Sequence, residues 1–187
     1  MSGIIETYSG IAFCPTEPKE KDVNIEDIAH ALSQICRFNG HTKHFYSVAQ
    51  HSINCAKMAA RIGATALTQL NCLLHDASEA YLCDVPSPIK PELEGYKVLE
   101  SKVQGTILKA LSVATVNYEV VDYVDKTMLA MEAKALMPCK VWEVKDYLNY
   151  ALYFDFDERK PEAVKVEFLR GYKNLINSVQ FGKVEHF

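Results

Sequence analysis

His75 and Asp76 stand side by side in the mainly apolar stretch Leu73-Leu74-His75-Asp76-Ala77-Ser78-Glu79-Ala80-Tyr81-Leu82. An imidazole and a carboxylate on an apolar helix are costly to bury and call for a partner such as a metal ion. A second histidine, His51, closes the run Ser47-Val48-Ala49-Gln50-His51, and an acid, Asp125, stands far downstream before Lys126. Two imidazoles and two carboxylates make the ligand set of a hard-to-borderline divalent cation, and cobalt, manganese, zinc, iron and magnesium all qualify. Four such ligands leave positions on an octahedral ion for water and a phosphate oxygen, which is what metal-assisted hydrolysis requires. Each residue alone has an ordinary reading: a core histidine, a solvated helix aspartate, a chance dipeptide. The combination selects the metal site.

Those residues need helices to present them. Asn24 is a plausible N-cap, and Ile25, Ile28, Ala29, Leu32 and Ile35 recur at helical spacing until Asn39-Gly40. Further helices are expected over about 47–62, with Gly63 as the stop, and over 66–82, 96–111 and 119–136. Pro161 opens a last helix reaching about Ile176. Pro86, Pro88 and Pro91 force a loop after the helix that bears His75. Ile4 to Phe13 alternates around Ser9-Gly10 as a small hairpin or arm, and the region from Trp142 to Asp157 is left open. The expectation is an all-α bundle with a minor N-terminal β-hairpin, in which three helices supply the metal site. On a continuous helix His75 and Glu79 share a face at i,i+4, and Asp76 reaches the metal from about a quarter-turn away.

The bulk properties allow this reading and remove others. The 187 residues suit one domain: an arm over 1–23, a metal-binding core over 24–137, and a C-terminal cover and helix over 138–187. A hydrophobic content of 49% is that of a globular chain. The net charge of -4 gives no footprint for duplex nucleic acid or anionic lipid. None of the six cysteines forms a C-x-x-C pair. No basic leader starts the chain and no apolar run approaches the ~18 residues of a span, so no membrane partner is expected and the cytoplasm is the expected compartment.

The order His51…His75-Asp76…Asp125 resembles the signature of the HD superfamily of metal-dependent phosphohydrolases. The words Cys36-Arg37-Phe38-Asn39-Gly40-His41, Phe45-Tyr46-Ser47-Val48-Ala49-Gln50-His51-Ser52, 75–90 and 125–133 look like its compact bacterial and phage branch, over most of residues 5–137. That branch is related to 5'-deoxynucleotidases and includes small phage dATP triphosphohydrolases. The resemblance implies an HD-domain helical bundle with one divalent ion on His51, His75, Asp76 and Asp125. It also implies a deoxynucleotide substrate and assembly into a homo-oligomer, a dimer or larger.

The resemblance makes Glu79 catalytic, and its position one turn beyond His75 suits a general acid or base. Asp76 takes part as the aspartate of the HD pair. Arg37 offers a planar fork of donors for phosphate, and Phe38 a face for a base. Asp84 suits a sugar hydroxyl, and Lys90 and Lys126 suit phosphate. His41 and His44 read as structural. The expected activity is hydrolysis of a deoxynucleoside triphosphate, dATP foremost, to nucleoside and tripolyphosphate. The alternatives are a nucleotidase confined to monophosphates and a non-catalytic nucleotide sensor. Ala80 after Glu79 argues against an alarmone hydrolase, and no Gly-Tyr-Pro motif marks a cyclic-dinucleotide phosphodiesterase.

Overall fold

The computed structural model describes residues 3–138 and 154–182. It is mostly α-helical, with one two-stranded sheet. Strand β1 (Ile5–Glu6) pairs antiparallel with β2 (Ala12–Phe13), Ile5 opposite Phe13 and Glu6 opposite Ala12. Gly10 turns the hairpin at φ +82°, a conformation glycine adopts without steric cost. Several contacts fix this arm to the bundle, among them Tyr8 stacked on His30 of the following helix. The buried Asp27 carboxylate accepts from the Ser9 N–H at 2.7 Å and from its hydroxyl at 2.8 Å. Phe13 stacks on Tyr81 with ring centroids 3.8 Å apart.

The helices are α1 (Ile25–Gln34), α2 (Val48–Arg61), α3 (Ala66–Leu74), α4 (Glu79–Leu82), α5 (Tyr96–Ala110), α6 (Tyr118–Leu136) and α7 (Pro161–Phe181). Four of them start at side-chain caps: Asn24, Ser47, Thr65 and Asn117 each accept from a backbone N–H of the first turn. One apolar core joins α1, α2, α3, α5 and α7 around Ile28, Leu32, Ile53, Leu73, Ile107 and Phe168. A second joins α2, α3 and α6 around Cys55, Met58, Cys72, Val124 and Met128. Among the described residues no helix is long and apolar enough to cross a membrane.

Three boundaries differ from the sequence reading. Helix α1 stops at Gln34, well before Asn39-Gly40, because Ile35 is extended and Cys36 bridges to Ser47. The Arg37 N–H then donates to the Tyr46 carbonyl at 2.9 Å, and Phe38–Gly40 form a 3-10 turn. Helix α7 continues past Ile176 to Phe181, where Gly182 stops it at φ +63°. Most of the open region from Trp142 to Asp157 lies outside the described residues.

The third difference bears on function. The helix expected over 66–82 is broken at 75–78. There the bonds run i to i+3, from Ala77 N to Leu74 O and from Glu79 N to Asp76 O, both at 3.0 Å. In a continuous helix the Ser78 N–H would bond the Leu74 carbonyl. Gln104 of α5 takes both groups instead. Its Oε1 accepts from Ser78 N at 3.0 Å, and its Nε2 donates to Leu74 O at 2.7 Å. A single side-chain amide therefore replaces one helical hydrogen bond and docks α5 against the break. Gln104→Ala leaves the buried Ser78 N–H short of a partner, while Leu74 O keeps the Ala77 N–H, and a loss of about 1–3 kcal/mol in unfolding free energy is expected by denaturant titration. An unchanged unfolding midpoint would show that the break holds without Gln104.

Candidate metal centre

The break turns His75 and Asp76 toward the same point. Neighbours in sequence do not face each other on a regular helix, yet His75 Nε2 lies 3.2 Å from Asp76 Oδ2. His51, from the middle of α2, brings its Nε2 to 3.3 Å from that of His75 and 3.6 Å from Asp76 Oδ2. Asp125, from α6, places Oδ1 3.1 Å from His51 Nε2 and 3.6 Å from His75 Nε2. Two ligands bound to one ion at about 2.0–2.2 Å, at the angles of a tetrahedral or octahedral site, stand about 3–3.5 Å apart. The pairs His75–Asp76, His51–His75 and His51–Asp125 have that spacing, and His51–Asp76 and His75–Asp125, at 3.6 Å, lie just beyond it.

Both imidazoles keep Nε2 for the centre, because their other nitrogen is engaged. His51 Nδ1 meets Glu132 Oε1 at 2.8 Å, and His75 Nδ1 meets the Cys72 carbonyl at 2.8 Å. This carboxylate-histidine or carbonyl-histidine arrangement fixes ring orientation and tautomer in metal sites. Cys55, one turn after His51, is also close, with Sγ 3.5 Å from His51 Nε2. The ligand atoms of His51, Cys55, His75 and Asp125 all fall within 4.8 Å of one another, so this group too is able to hold a metal ion. The two candidates for the remaining position differ in charge before a metal binds. Burial, with Asp125 and Glu132 nearby, pushes the Cys55 thiol well up and keeps it neutral. Burial also opposes the Asp76 carboxylate, but His75, His51 and Arg37 outweigh it and hold its pKa at about 2. A bound cation deprotonates a coordinating thiol outright, so Asp76 and Cys55 both stand beside His51, His75 and Asp125 as candidate ligands. The donors fit a borderline divalent cation.

Charge is arranged to match. Burial disfavours a cationic His75, but Asp76 and Asp125 raise its pKa well above the usual value. Burial and Arg37 disfavour a cationic His51, and Glu132 and Asp125 overcome both. Burial works against the Asp125 and Glu132 carboxylates, and histidines contacting each hold both pKa values low.

Sequence reasoning assigned no role to Glu132, which is fully buried. It accepts from the Tyr46 hydroxyl at 2.9 Å and from Arg37 Nε at 3.1 Å besides meeting His51. Its signal was its place seven residues after Asp125, two turns along α6 on the same face. The structure sets Arg37 inside this network, 7% exposed, with Nη1 3.6 Å from Asp76 Oδ2. Two carboxylates thus occupy the fork expected to hold phosphate. Phe38 is half-buried at φ +53°, with the Arg37 guanidinium 5.6 Å from its ring centre.

Glu79 is 3% exposed and its Oε2 has no hydrogen-bond partner. Burial, followed by Asp76 and Asp84, raises its pKa well above the carboxylate range. Lys90 Nζ sits 3.7 Å from Glu79 Oε1 and 2.7 Å from Glu100 Oε1, so its charge is already countered. Asp84 follows Cys83, whose φ of +68° is strained for a side-chain-bearing residue. Burial raises the Asp84 pKa against the pull of Arg37. Lys126 is not brought to the centre: it is 69% exposed and paired with Asp122 at 2.6 Å. The i,i+4 geometry of α6 turns it outward.

A cavity of about 590 Å³ opens beside the cluster, and His75, Asp76, Asp125 and Lys90 line it. So do Lys97, Gln104 and Tyr118, which carried no signal in the sequence. Arg37, Phe38, His51, Glu79 and Asp84 are not part of its wall. Glu132→Gln is expected to lower metal affinity about 10–100-fold, read by titration of the metal-free protein, with the helical signal retained. Unchanged affinity would mean that Glu132 serves packing alone.

No family model matches the chain. Over 132 residues it is 41% identical to the uncharacterized protein YfdR of Escherichia coli (strain K12), and the match covers 71% of each chain. Over 96 residues, 49% of each chain, it is 38% identical to the uncharacterized protein RCAP_rcc00048 of Rhodobacter capsulatus.

Proposed function

We propose, from the premise that the chain belongs to the family of YfdR, that it is a metal-dependent phosphohydrolase of the HD type acting on deoxynucleotides, with deoxynucleoside triphosphates and dATP foremost. One observation carries the reading. Two imidazole nitrogens and two carboxylates converge, each within 3.6 Å of a neighbour, and His75, Asp76 and Asp125 among them line a cavity of about 590 Å³ that also presents lysines. A cavity of that size suits a small organic anion. When bound by His51, His75, Asp76 and Asp125, a divalent cation supplies the positive charge that acidifies a water and neutralises a phosphoryl oxygen.

The chain's own residues do the rest. The raised pKa of Glu79 keeps a proton on a carboxyl whose second oxygen is unpaired. In the triphosphate reaction a water oxygen forms the new bond to the α-phosphorus, and the bond from that phosphorus to the sugar O5' breaks. The leaving O5' takes a proton, which Glu79 is suited to deliver as general acid. The products are the nucleoside and tripolyphosphate. Arg37 acts by orienting Asp76 and Glu132, since both lie within reach of its guanidinium.

Incubation with dATP and manganese is expected to yield deoxyadenosine and intact tripolyphosphate. Asp125→Ala is expected to abolish turnover, and Glu79→Gln to slow it by about 10²–10⁴-fold while metal stoichiometry stays unchanged. No turnover of dATP, dAMP or other monophosphates by the native protein would overturn this reading and leave a nucleotide sensor.

A further inference from the structure

The cavity presents lysines at one end and uncharged, mixed polar and apolar side chains at the other, and α5 sets the order. Lys97, Ser101, Gln104, Gly105 and Leu108 lie along one stripe of that helix and all face the cavity. From Lys97 to Leu108 the stripe is about 16 Å long at the helical rise. Gln104 marks the level of the metal cluster, because its amide grips Leu74 O and Ser78 N on either side of His75 and Asp76. Measured from there, Lys97 stands seven residues away, about 10 Å, and Leu108 four residues away, about 6 Å.

The two arms differ in chemistry. The long arm ends at Lys90 and Lys97. Lys90 is held by Glu100 and Glu79, whereas Lys97 has no carboxylate partner among the described residues. The short arm is closed by Leu108, Val116, Val121 and Tyr118 together with the uncharged Asn71 and Thr115. Gly105 sits between them, inside α5. A glycine in a helix interior costs about 0.5–1 kcal/mol relative to alanine. No positive φ calls for it here, and a β-carbon at that position would meet nothing within 4 Å. Its effect is to widen the cavity at the level of the metal cluster.

We infer that the cavity takes a nucleoside polyphosphate lengthwise along α5, with Lys97 holding a phosphate beyond the one at the metal cluster and the Gly105–Leu108 end holding the sugar and base. This rests on the phosphohydrolase reading and makes Lys97 the residue that distinguishes triphosphate from monophosphate. It also moves the base away from Phe38, which the cavity does not reach.

The test compares the native protein with Lys97→Ala, Lys97→Arg and Gly105→Leu. Lys97→Ala is expected to raise KM for dATP about 10–100-fold, the loss of one charge-assisted contact, with kcat within threefold and KM for dAMP unchanged. Lys97→Arg is expected to restore most of the dATP affinity. Gly105→Leu is expected to weaken both nucleotides at least tenfold. Equal KM changes for dATP and dAMP in Lys97→Ala, or none, would overturn the inference. Calorimetry with inorganic tripolyphosphate and orthophosphate on the manganese-loaded protein gives a readout free of catalysis. Lys97→Ala is expected to weaken tripolyphosphate at least tenfold and leave orthophosphate unchanged, and Gly105→Leu is expected to leave both unchanged. Loss of turnover on every nucleotide with this binding pattern intact would fault the hydrolase reading alone. A Lys97→Ala protein that binds tripolyphosphate as the native one does would fault the lengthwise placement.

Discussion

The site depends on an interrupted helix. Adjacent side chains on a regular helix diverge, so His75 and Asp76 share one point only because α3 ends at Leu74 and the chain tightens through residues 75–78. An interruption in a buried segment leaves a donor and an acceptor without their usual partners, and each is costly if unmet. The Gln104 amide meets both, at 3.0 and 2.7 Å, and in doing so fixes where α5 lies. The same contact therefore opens the helix, aims two ligands and places one wall of the cavity.

Around that point the structure manages a concentration of charge. His51, Arg37 and Glu132 are at most 7% exposed, and isolated charges at such depth cost several kcal/mol each. They are tolerated because each has opposite charges in contact. Glu132 lies between His51 and Arg37, and Arg37 extends to Asp76. A buried carboxylate that orients a histidine is a second layer behind the ligands, and here it ties α2 and α6 to the segment after α1. The apolar cluster of Cys55, Met58, Cys72, Val124 and Met128 packs α2, α3 and α6 together close to it, so the ligand-bearing elements have little freedom to separate.

Much of this was legible in the sequence. The cap Asn24 and the stop at Gly63 were local signals, and α1 begins where Asn24 places it. The hairpin around Gly10 was equally local. His51, His75 and Asp125, which the fold brings together, were legible as residue types suited to one ion, whereas Cys55 of the same group was not. The break at 75–78 was not, because no proline or glycine marks it and its cause is a glutamine 26 residues from Ser78. For the same reason Gln104, Lys97 and Tyr118 gave no signal: they matter through tertiary placement alone. Arg37 was noticed for phosphate, but its partners Glu132 and Asp76 come from distant parts of the chain.

The most direct test of the account is a crystal structure of the manganese-loaded protein with anomalous scattering recorded for the metal. The account predicts one ion within about 2.0–2.3 Å of His51 Nε2, His75 Nε2 and one oxygen each of Asp76 and Asp125, with Cys55 Sγ outside bonding distance. An ion held through Cys55 in place of Asp76, or seated away from these four residues, would contradict it.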